Sequence, residues 1–381
     1  MDFLRQTLFY PAPIVKLATG VEITGFLHQN SGMFGSISFR RTPMRKIVML
    51  LALLALTITP SFAQESAPTE LLTVYSGRNE QLTAPLLAQF TQATGVQVQV
   101  VYGDTAAIAN QILEEGPNSP ADLVIMSDAG ALGALAKAGI LSALPGDILE
   151  RIPSEYQSRD GLWVGISARA RVLVYNPARV EALGLTVPTS LLSLTQPEYA
   201  GLVGWAPANT AFQAHVTAMR LLLGEEATTA WLAGMVANGA VSYGSSNTNL
   251  NLAVASGEVV FGVTNHYYMY NLKKETPDLT LEQVAFAAGD VGALVNVSGA
   301  GILNTSTQKG LAQRLVLYLI GGEAQTYFTQ NTSEYPLVAG IETNPALIPL
   351  ADFGLPALNL SDLDDLAGTL ALIEASGALD Q

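Results

Sequence analysis

The chain has 381 residues, 49% of them hydrophobic and 13% charged, with a formal net charge of −14. That length allows two domains with sizeable cores. The absence of cysteine excludes disulfides, thiolate metal sites and a lipoprotein anchor, and no basic stretch points to nucleic acid.

Residues 1–43 have no clear periodicity and read as an extension ahead of the true start at Met44. Met44, Arg45 and Lys46 form a positive n-region, Ile47 to Ile58 an apolar h-region, and Ser61, Phe62 and Ala63 offer small residues before a cut at Gln64. Residues 44–63 are thus expected to be a secretory signal peptide, too short for a membrane span, and the protein is expected in the periplasm, soluble and without a lipid anchor. Removing residues 1–63 takes six of 18 basic and two of 32 acidic residues, leaving 12 and 30, a net charge of −18. The acids are spread rather than clustered, which fits solubility better than a cation-collecting field.

From Leu71 the pattern alternates strand and helix. Leu71 to Tyr75 is a predicted strand, Ser76 to Glu80 a turn, and Leu82, Leu86, Leu87 and Phe90 recur at helical spacing, with Pro85 tolerable only near the first turn. Val96, Val98 and Val100 alternate as a second strand. A helix over Thr105 to Glu114, a strand over Ala121 to Met126 and a helix from about Asp128 to Ala138 follow. This order predicts a mostly parallel sheet flanked by helices. The long stretch Trp163 to Tyr175, with Arg169 and Arg171 among apolar residues, reads as a strand leaving one domain for another. A second α/β unit runs through Val203 to Ala206, a helix carrying Phe212, Val216 and Met219, and a helix over Glu225 to Asn238. It ends with a helix through Leu250 to Ser256 and the apolar strand Val259 to Val263. Ala293 to Leu303 is expected to cross back. A helix is predicted around Gln313 to Phe328, a turn at Glu334 to Leu337, and an amphipathic tail helix over Asp362 to Leu379 that would clasp the second unit.

Two features carry the chemistry. The first is NHYYMYNL, Asn265 to Leu272, just after the Val259 strand. On a strand Tyr267 and Tyr268 would point to opposite faces, whereas just past the strand's end, in a turn or a first helical turn, both could face one cleft. Phenolates are hard anionic ligands suited to a hard, highly charged cation; the plainer reading is a packing cluster with hydroxyls at its rim. The second is a set of polar turns, Gly77 to Glu80, Ser127–Asp128, Asn209–Thr210 and Ser246–Asn247, each before a helix. Helix N-termini favour anions, although singly Asp128, Asn209 and Asn247 are good N-caps. Both features are satisfied by a metal on phenolates completed by a small anion. They are also satisfied by an organic anion that the tyrosines merely hydrogen-bond.

Several segments resemble the bacterial extracellular solute-binding proteins of the ferric-iron group. They are LTVYSGRNE at Leu72 to Glu80, EEGPNSPADLV at Glu114 to Val124, SARARVLVYNP at Ser167 to Pro177, PANTAF at Pro207 to Phe212, SGEV at Ser256 to Val259, NHYYMYNL, and SEYPL at Ser333 to Leu337. They span the chain beyond the signal peptide in family order. The resemblance implies a two-lobed, type II periplasmic-binding-protein fold with the ligand cleft between α/β lobes. It implies lobe 1 at 70–171 plus 299–348 and lobe 2 at 172–298 plus 349–381. It further implies that Tyr267 and Tyr268 bind Fe³⁺, and that a synergistic anion, phosphate or carbonate, sits on Asn209, Thr210 and Ala211, helped by Asn247 and Asn265. Where some members carry a third tyrosine this chain has Phe212, and where the group places a first-lobe histidine and glutamate it has Asn79 and Ser127, with Asp128 beside the latter. Asn79 and Asp128 are therefore carried as candidate metal ligands and Arg78 as a candidate partner of the anion. His266 carries no ligand role in the group and reads as packing. Arg169 and Arg171 read as structural partners at the crossing that tune the phenolates.

The function so implied is capture of Fe³⁺ and delivery to an inner-membrane ABC permease and its ATPase, by a monomer. The alternative is a binding protein for a small oxyanion or organic anion without iron. No G-x-S-x-G or H-E-x-x-H occurs, so an enzyme is not expected.

Overall fold

The computed structural model describes residues 70–354 and 356–380; the extension and the signal peptide expected from the sequence lie outside the described residues. The first α/β run forms as the periodicity predicts: β1 (Leu71–Ser76), α1 (Glu80–Thr94), β2 (Gln97–Tyr102), α2 (Thr105–Glu115), β3 (Leu123–Met126) and α3 (Ala129–Lys137). β1 lies between β2 and β3 and is parallel to both. Every residue of β3 is fully buried, as expected of a strand covered on both faces. α1 buries Leu86, Leu87 and Phe90 along one stripe and stops at Gly95, whose φ of 79° only glycine adopts without strain. Pro85 sits inside this helix, in its second turn, one turn later than the sequence reading allowed.

β4 (Trp163–Tyr175) organises the rest. Its first part pairs antiparallel with β9 (Val295–Ile302), from Trp163↔Gly301 to Ala170↔Val295. From Arg171 onward it pairs antiparallel with β7 (Phe261–Asn265), from Arg171↔Asn265 to Tyr175↔Phe261. The strand therefore changes partners at Ala170–Arg171, passing from one half-sheet to the other as its mixed composition suggested. The strand order is β2-β1-β3-β9-β4-β7-β5-β6, where β5 is Val203–Trp205 and β6 Val241–Ser242, and β8 (Glu282–Val284) joins the end of β4. In the second half β5 is parallel to β6 and β7, and α4 (Pro177–Leu183), α5 (Thr210–Leu223), α6 (Glu225–Ala237) and α7 (Asn247–Ser256) connect the strands. Trp205 centres this half's core, edge-on to Phe212 at 5.6 Å and to Trp231 at 6.3 Å.

Three late elements differ from the sequence reading. The predicted Gln313–Phe328 helix is two helices, α9 (Lys309–Leu319) and α10 (Gly322–Asn331), because Gly321 leaves the helical conformation at φ −85°, ψ 163° and starts the second. Glu334–Leu337 is not a turn: Tyr335 exchanges both backbone hydrogen bonds with Ala168, at 2.9 and 3.0 Å. The tail helix α11 is shorter than the predicted Asp362–Leu379, spanning Leu366–Ala375, and docks on α5 as expected, through Thr217–Thr369 (2.7 Å) and Arg220–Asp365 (2.8 Å). The residues before it reach the first half as well. A Cβ at Gly130 of α3 would fall 2.7 Å from the Leu363 carbonyl oxygen, and Lys137 pairs with Asp364 at 3.1 Å.

The Tyr335 bridge places Glu334 beside Arg78. The guanidinium donates to both carboxylate oxygens at 2.8 and 3.2 Å, and also to Ser167 and Ser298. Arg78 is 4% and Glu334 1% exposed. Burial alone would raise the Glu334 carboxyl, but Arg78, Arg169 and these hydrogen bonds hold it below the ordinary carboxylate value. A carboxyl so depressed stabilises the fold above the unfolded pKa, and that contribution is lost as pH falls through the folded value. We expect Arg78→Met to cost about 3–5 kcal/mol, since it strands a buried carboxylate, and Arg78→Met with Glu334→Leu to recover most of it. Urea unfolding at neutral pH measures both; equal losses for the single and double variants would contradict the pairing.

Candidate functional site

The two halves of the sheet face a cleft of about 770 Å³. β7 ends at Asn265 and, after His266 in right-handed helical geometry, α8 (Tyr267–Glu275) begins at once. Tyr267 and Tyr268 therefore occupy a first helical turn, and both line the cleft. Their rings stack at 4.3 Å and 29°. Tyr267 is 7% exposed, and burial, then the neighbouring Tyr268, push its phenol well above the ordinary range, with Arg169 pulling the other way.

The other expected residues divide. Asn79, Arg78, Asn209, Thr210 and Asn247 also line the cleft. Arg78 does so with its guanidinium committed to Glu334, which removes the grounds for pairing it with an anion. Asn79 caps α1, its Oδ1 accepting from the Gln81 N–H at 2.8 Å. Asn209 caps α5 through the Ala211 N–H (3.1 Å) while its Nδ2 donates to the Ser245 carbonyl (2.9 Å). The Ala211 N–H is thus already used, and Ala211 does not line the cleft. Asp128 and Asn265 lie behind the wall. Asp128 is 4% exposed and caps α3 through the Ala131 N–H at 2.9 Å; burial raises its pKa. Its neighbour Ser127 is the residue that faces the cleft, with its hydroxyl donating to the Gly77 carbonyl at 2.8 Å. Asn265 is 3% exposed and accepts from Arg171 at 3.1 Å. Arg171 also donates to the Val263 carbonyl, and burial brings its pKa down to about 10 against the pull of the two tyrosines.

Asn247 stands apart. It opens α7, is 2% exposed, and has hydrogen-bond partners for neither Oδ1 nor Nδ2 among the described residues. Arg169, read from sequence as structural, shares this property. It lines the cleft, is 5% exposed, and its Nε and Nη2 have no hydrogen-bond partner among the described residues. The sequence carried a signal for it, since Arg169 and Arg171 lie two apart on a strand and so share a face. Asn271 and Lys274 also line the cleft and had drawn no notice. Lys274 donates to the Gln330 and Asn331 carbonyls at 3.0 and 3.1 Å, tying α8 to the end of α10. Among the described residues no group of three or more His, Cys, Asp or Glu is placed to hold a metal.

Residues 86–373 match the bacterial extracellular solute-binding protein family, and the chain belongs to that family of binding proteins rather than to a family of enzymes. It is 33% identical over 317 residues to the Fe(3+)-binding periplasmic protein of Serratia marcescens, covering 82% of this chain and 93% of that one. Among solved structures it is similar to iron-bound HitA from Pseudomonas aeruginosa, with 35% identity and a TM-score of 0.77 over 81% of this chain and 99% of that one. It is also similar to a Trichodesmium IdiA (FutA) in complex with iron and citrate, with 29% identity and a TM-score of 0.69 over 81% and 99%. The α/β periplasmic-binding-protein fold expected from the sequence is the fold of these ferric-binding structures. Among the described residues no helix is long and apolar enough to cross a membrane.

His266 braces the tyrosine turn. Its Nδ1 accepts from the Ala170 N–H at 3.2 Å, its Nε2 lies 2.8 Å from the Ser333 carbonyl, and its ring stacks on Tyr335 at 4.6 Å. The first contact needs a bare Nδ1 and the second a protonated Nε2, so the ring is neutral. Burial brings its pKa from 6.5 down to about 4. Between those values the unfolded chain binds the extra proton, so stability falls as pH is lowered from about 6.5 to 4. His266→Gln is expected to remove part of that slope in urea unfolding across this range. A slope unchanged by the substitution would assign it to other groups.

Proposed function

We propose that this protein captures Fe³⁺ in the periplasm and delivers it to an ABC importer, with Tyr267 and Tyr268 as the protein's metal ligands and an anion completing the coordination. The observation that carries the reading is the stacked tyrosine pair at the start of α8, with both residues lining the cleft. The relatives support it: similar proteins matched over nearly their whole length are described as Fe(3+)-binding or were solved with iron. Asn209, Thr210 and Asn247 line the same cleft as groups for the anion, and Arg169 adds a positive charge beside the phenols. Asn79 and Ser127 offer only neutral oxygens from the first half, weak partners for so hard a cation.

The high pKa of Tyr267 keeps it protonated until a strong Lewis acid displaces the proton. Binding therefore releases protons, and affinity falls as pH falls. Closure about the β4 and β9 crossings would exclude water from the bound ion. In this reading the delivery partners are a membrane permease and its ATPase.

The test is a visible titration of the metal-free exported protein with chelated Fe³⁺. We expect a phenolate-to-iron charge-transfer band saturating near one iron per protein, abolished by Tyr267→Phe and by Tyr268→Phe. No band with phosphate, carbonate or an organic acid present would overturn the reading. Tight anion binding in metal-free buffer would then favour a second reading, an oxyanion or organic-anion carrier, which the unpartnered donors of Arg169 and Asn247 already favour.

A further inference from the structure

The last carbonyls of a helix have no partner within it and ordinarily go to water or to a local cap. At the end of α10 four consecutive carbonyls, those of residues 330–333, are instead taken by side chains of the tyrosine turn and of α8. Lys274 Nζ donates to the Gln330 and Asn331 oxygens at 3.0 and 3.1 Å, Asn271 Nδ2 to Thr332 at 3.3 Å, and His266 Nε2 to Ser333 at 2.8 Å. α10 itself is anchored to the first half. The Tyr327 hydroxyl donates to the Leu82 carbonyl of α1 at 3.1 Å, and Gln325 Nε2 to the Ile166 carbonyl of β4 at 2.6 Å. Tyr267, Asn271 and Lys274 stand at i, i+4 and i+7, on one stripe of α8. The stripe that carries the first tyrosine is therefore fastened to the opposite half.

Ser333 is the odd member of this junction. It follows Thr332, the cap of α10, and its φ of 59° is the one positive value outside glycine among the described residues. Glycine is the usual residue at this place after a helix, because a Cβ is strained there. The serine is fully buried, and what glycine would lack is its hydroxyl, which donates to Asn271 Oδ1 at 3.0 Å. The Asn271 amide is thereby held at both ends, by the Ser333 hydroxyl and by the Thr332 carbonyl. The next residue, Glu334, grips Arg78, whose neighbour Asn79 lines the cleft from the first half. One strained residue thus joins the tyrosine helix to the opposite wall.

Building on the ferric reading for what the phenols hold, we infer that Ser333 is a positioning residue: its hydroxyl on Asn271 and its carbonyl on His266 fix the pitch of α8 against the first half, and so set where Tyr267 and Tyr268 meet an ion. For the backbone alone, glycine suits φ 59° better than serine does. What the serine adds is the tie to α8.

The experiment makes Ser333→Gly in the exported protein. Urea unfolding and hydrogen–deuterium exchange of the α8 amides are measured metal-free, and the protein is then loaded with chelated Fe³⁺. We expect a urea midpoint close to the parent's, because relieved strain offsets the lost hydrogen bond. The α8 amides should exchange about threefold to tenfold faster, the worth of one hydrogen bond. On loading, the phenolate-to-iron band should shift its maximum, and iron should pass to a competing chelator faster by a similar factor. Asn271→Ala should also speed α8 exchange, and adding Ser333→Gly to it should add less than about twofold, because both remove the same link. Asn271→Ala carries the test if Ser333→Gly does not fold. Unchanged α8 exchange in the folded variants, or an unchanged band in Ser333→Gly, would overturn the inference. So would faster exchange spread evenly over the chain, which marks a general loss of stability. No band in the parent protein would remove the ferric reading, while α8 exchange in the metal-free protein would still decide whether Ser333 holds the helix.

Discussion

Three arginines are buried among the described residues, Arg78, Arg169 and Arg171, and the cleft is built around how each charge is compensated. Burying a guanidinium is costly unless acceptors surround it. Arg78 finds a carboxylate 256 positions away in sequence and so fastens β1's end to the segment after α10. Arg171 finds only neutral oxygens, from Asn265 and Val263, and so fastens β4 to β7 just where the strand changes half-sheets. Arg169, two residues earlier on the same face of β4, finds none for its Nε and Nη2. An unpartnered buried donor calls for an explanation, and Arg171 Nε shares that state with the two Arg169 nitrogens. Their position beside the tyrosines makes the cleft's contents part of the electrostatic balance of the fold.

The tyrosine turn is the mechanical counterpart of that arrangement. A helix that starts the moment a strand ends puts successive side chains about a hundred degrees apart instead of on opposite faces, so adjacent residues can share a cleft. His266 sits at the junction and is held on both sides, by β4 through Ala170 and by the segment after α10 through Ser333. Neither contact leaves its ring free to bind a ligand. Its burial explains why a histidine next to the candidate metal ligands serves the backbone instead.

Much of the architecture was legible because it follows from periodicity and caps: the first β-α alternation and the crossing nature of Trp163–Tyr175; at the tyrosines the sequence left a turn and a first helical turn both open. The misses have separate causes. The break at Gly321 was signalled by the Gly321–Gly322 pair inside the predicted Gln313–Phe328 helix, and the apolar residues on either side hid it. Glu334–Leu337 carries turn residues, yet pairing with Ala168, far away in sequence, makes it extended. The polar turns were ambiguous because capping and ligand binding call for the same side chains. Only three-dimensional placement separates Ala211, whose N–H is spent on a local hydrogen bond, and Asp128, which lies behind the wall, from Asn247, whose unpartnered amide belongs to the cleft lining. Likewise an arginine on a buried strand reads as a structural ion pair until the partner is sought and not found, which is the case for Arg169.

The same contacts constrain how the cleft can close. α8 belongs by strand order to the second half, but Lys274 and Asn271 bind carbonyls of residues 330–332 at the end of α10. On the far side, residues 363–364 rest on α3 while α11 docks on α5. The halves are therefore joined by the β4 and β9 strands, by the α8–α10 contact and by the tail. Sliding one half past the other would break all three. Arg169 lies beside the Ala170–Arg171 crossing and lines the cleft as the structure stands, so meeting an anion requires no movement of the halves.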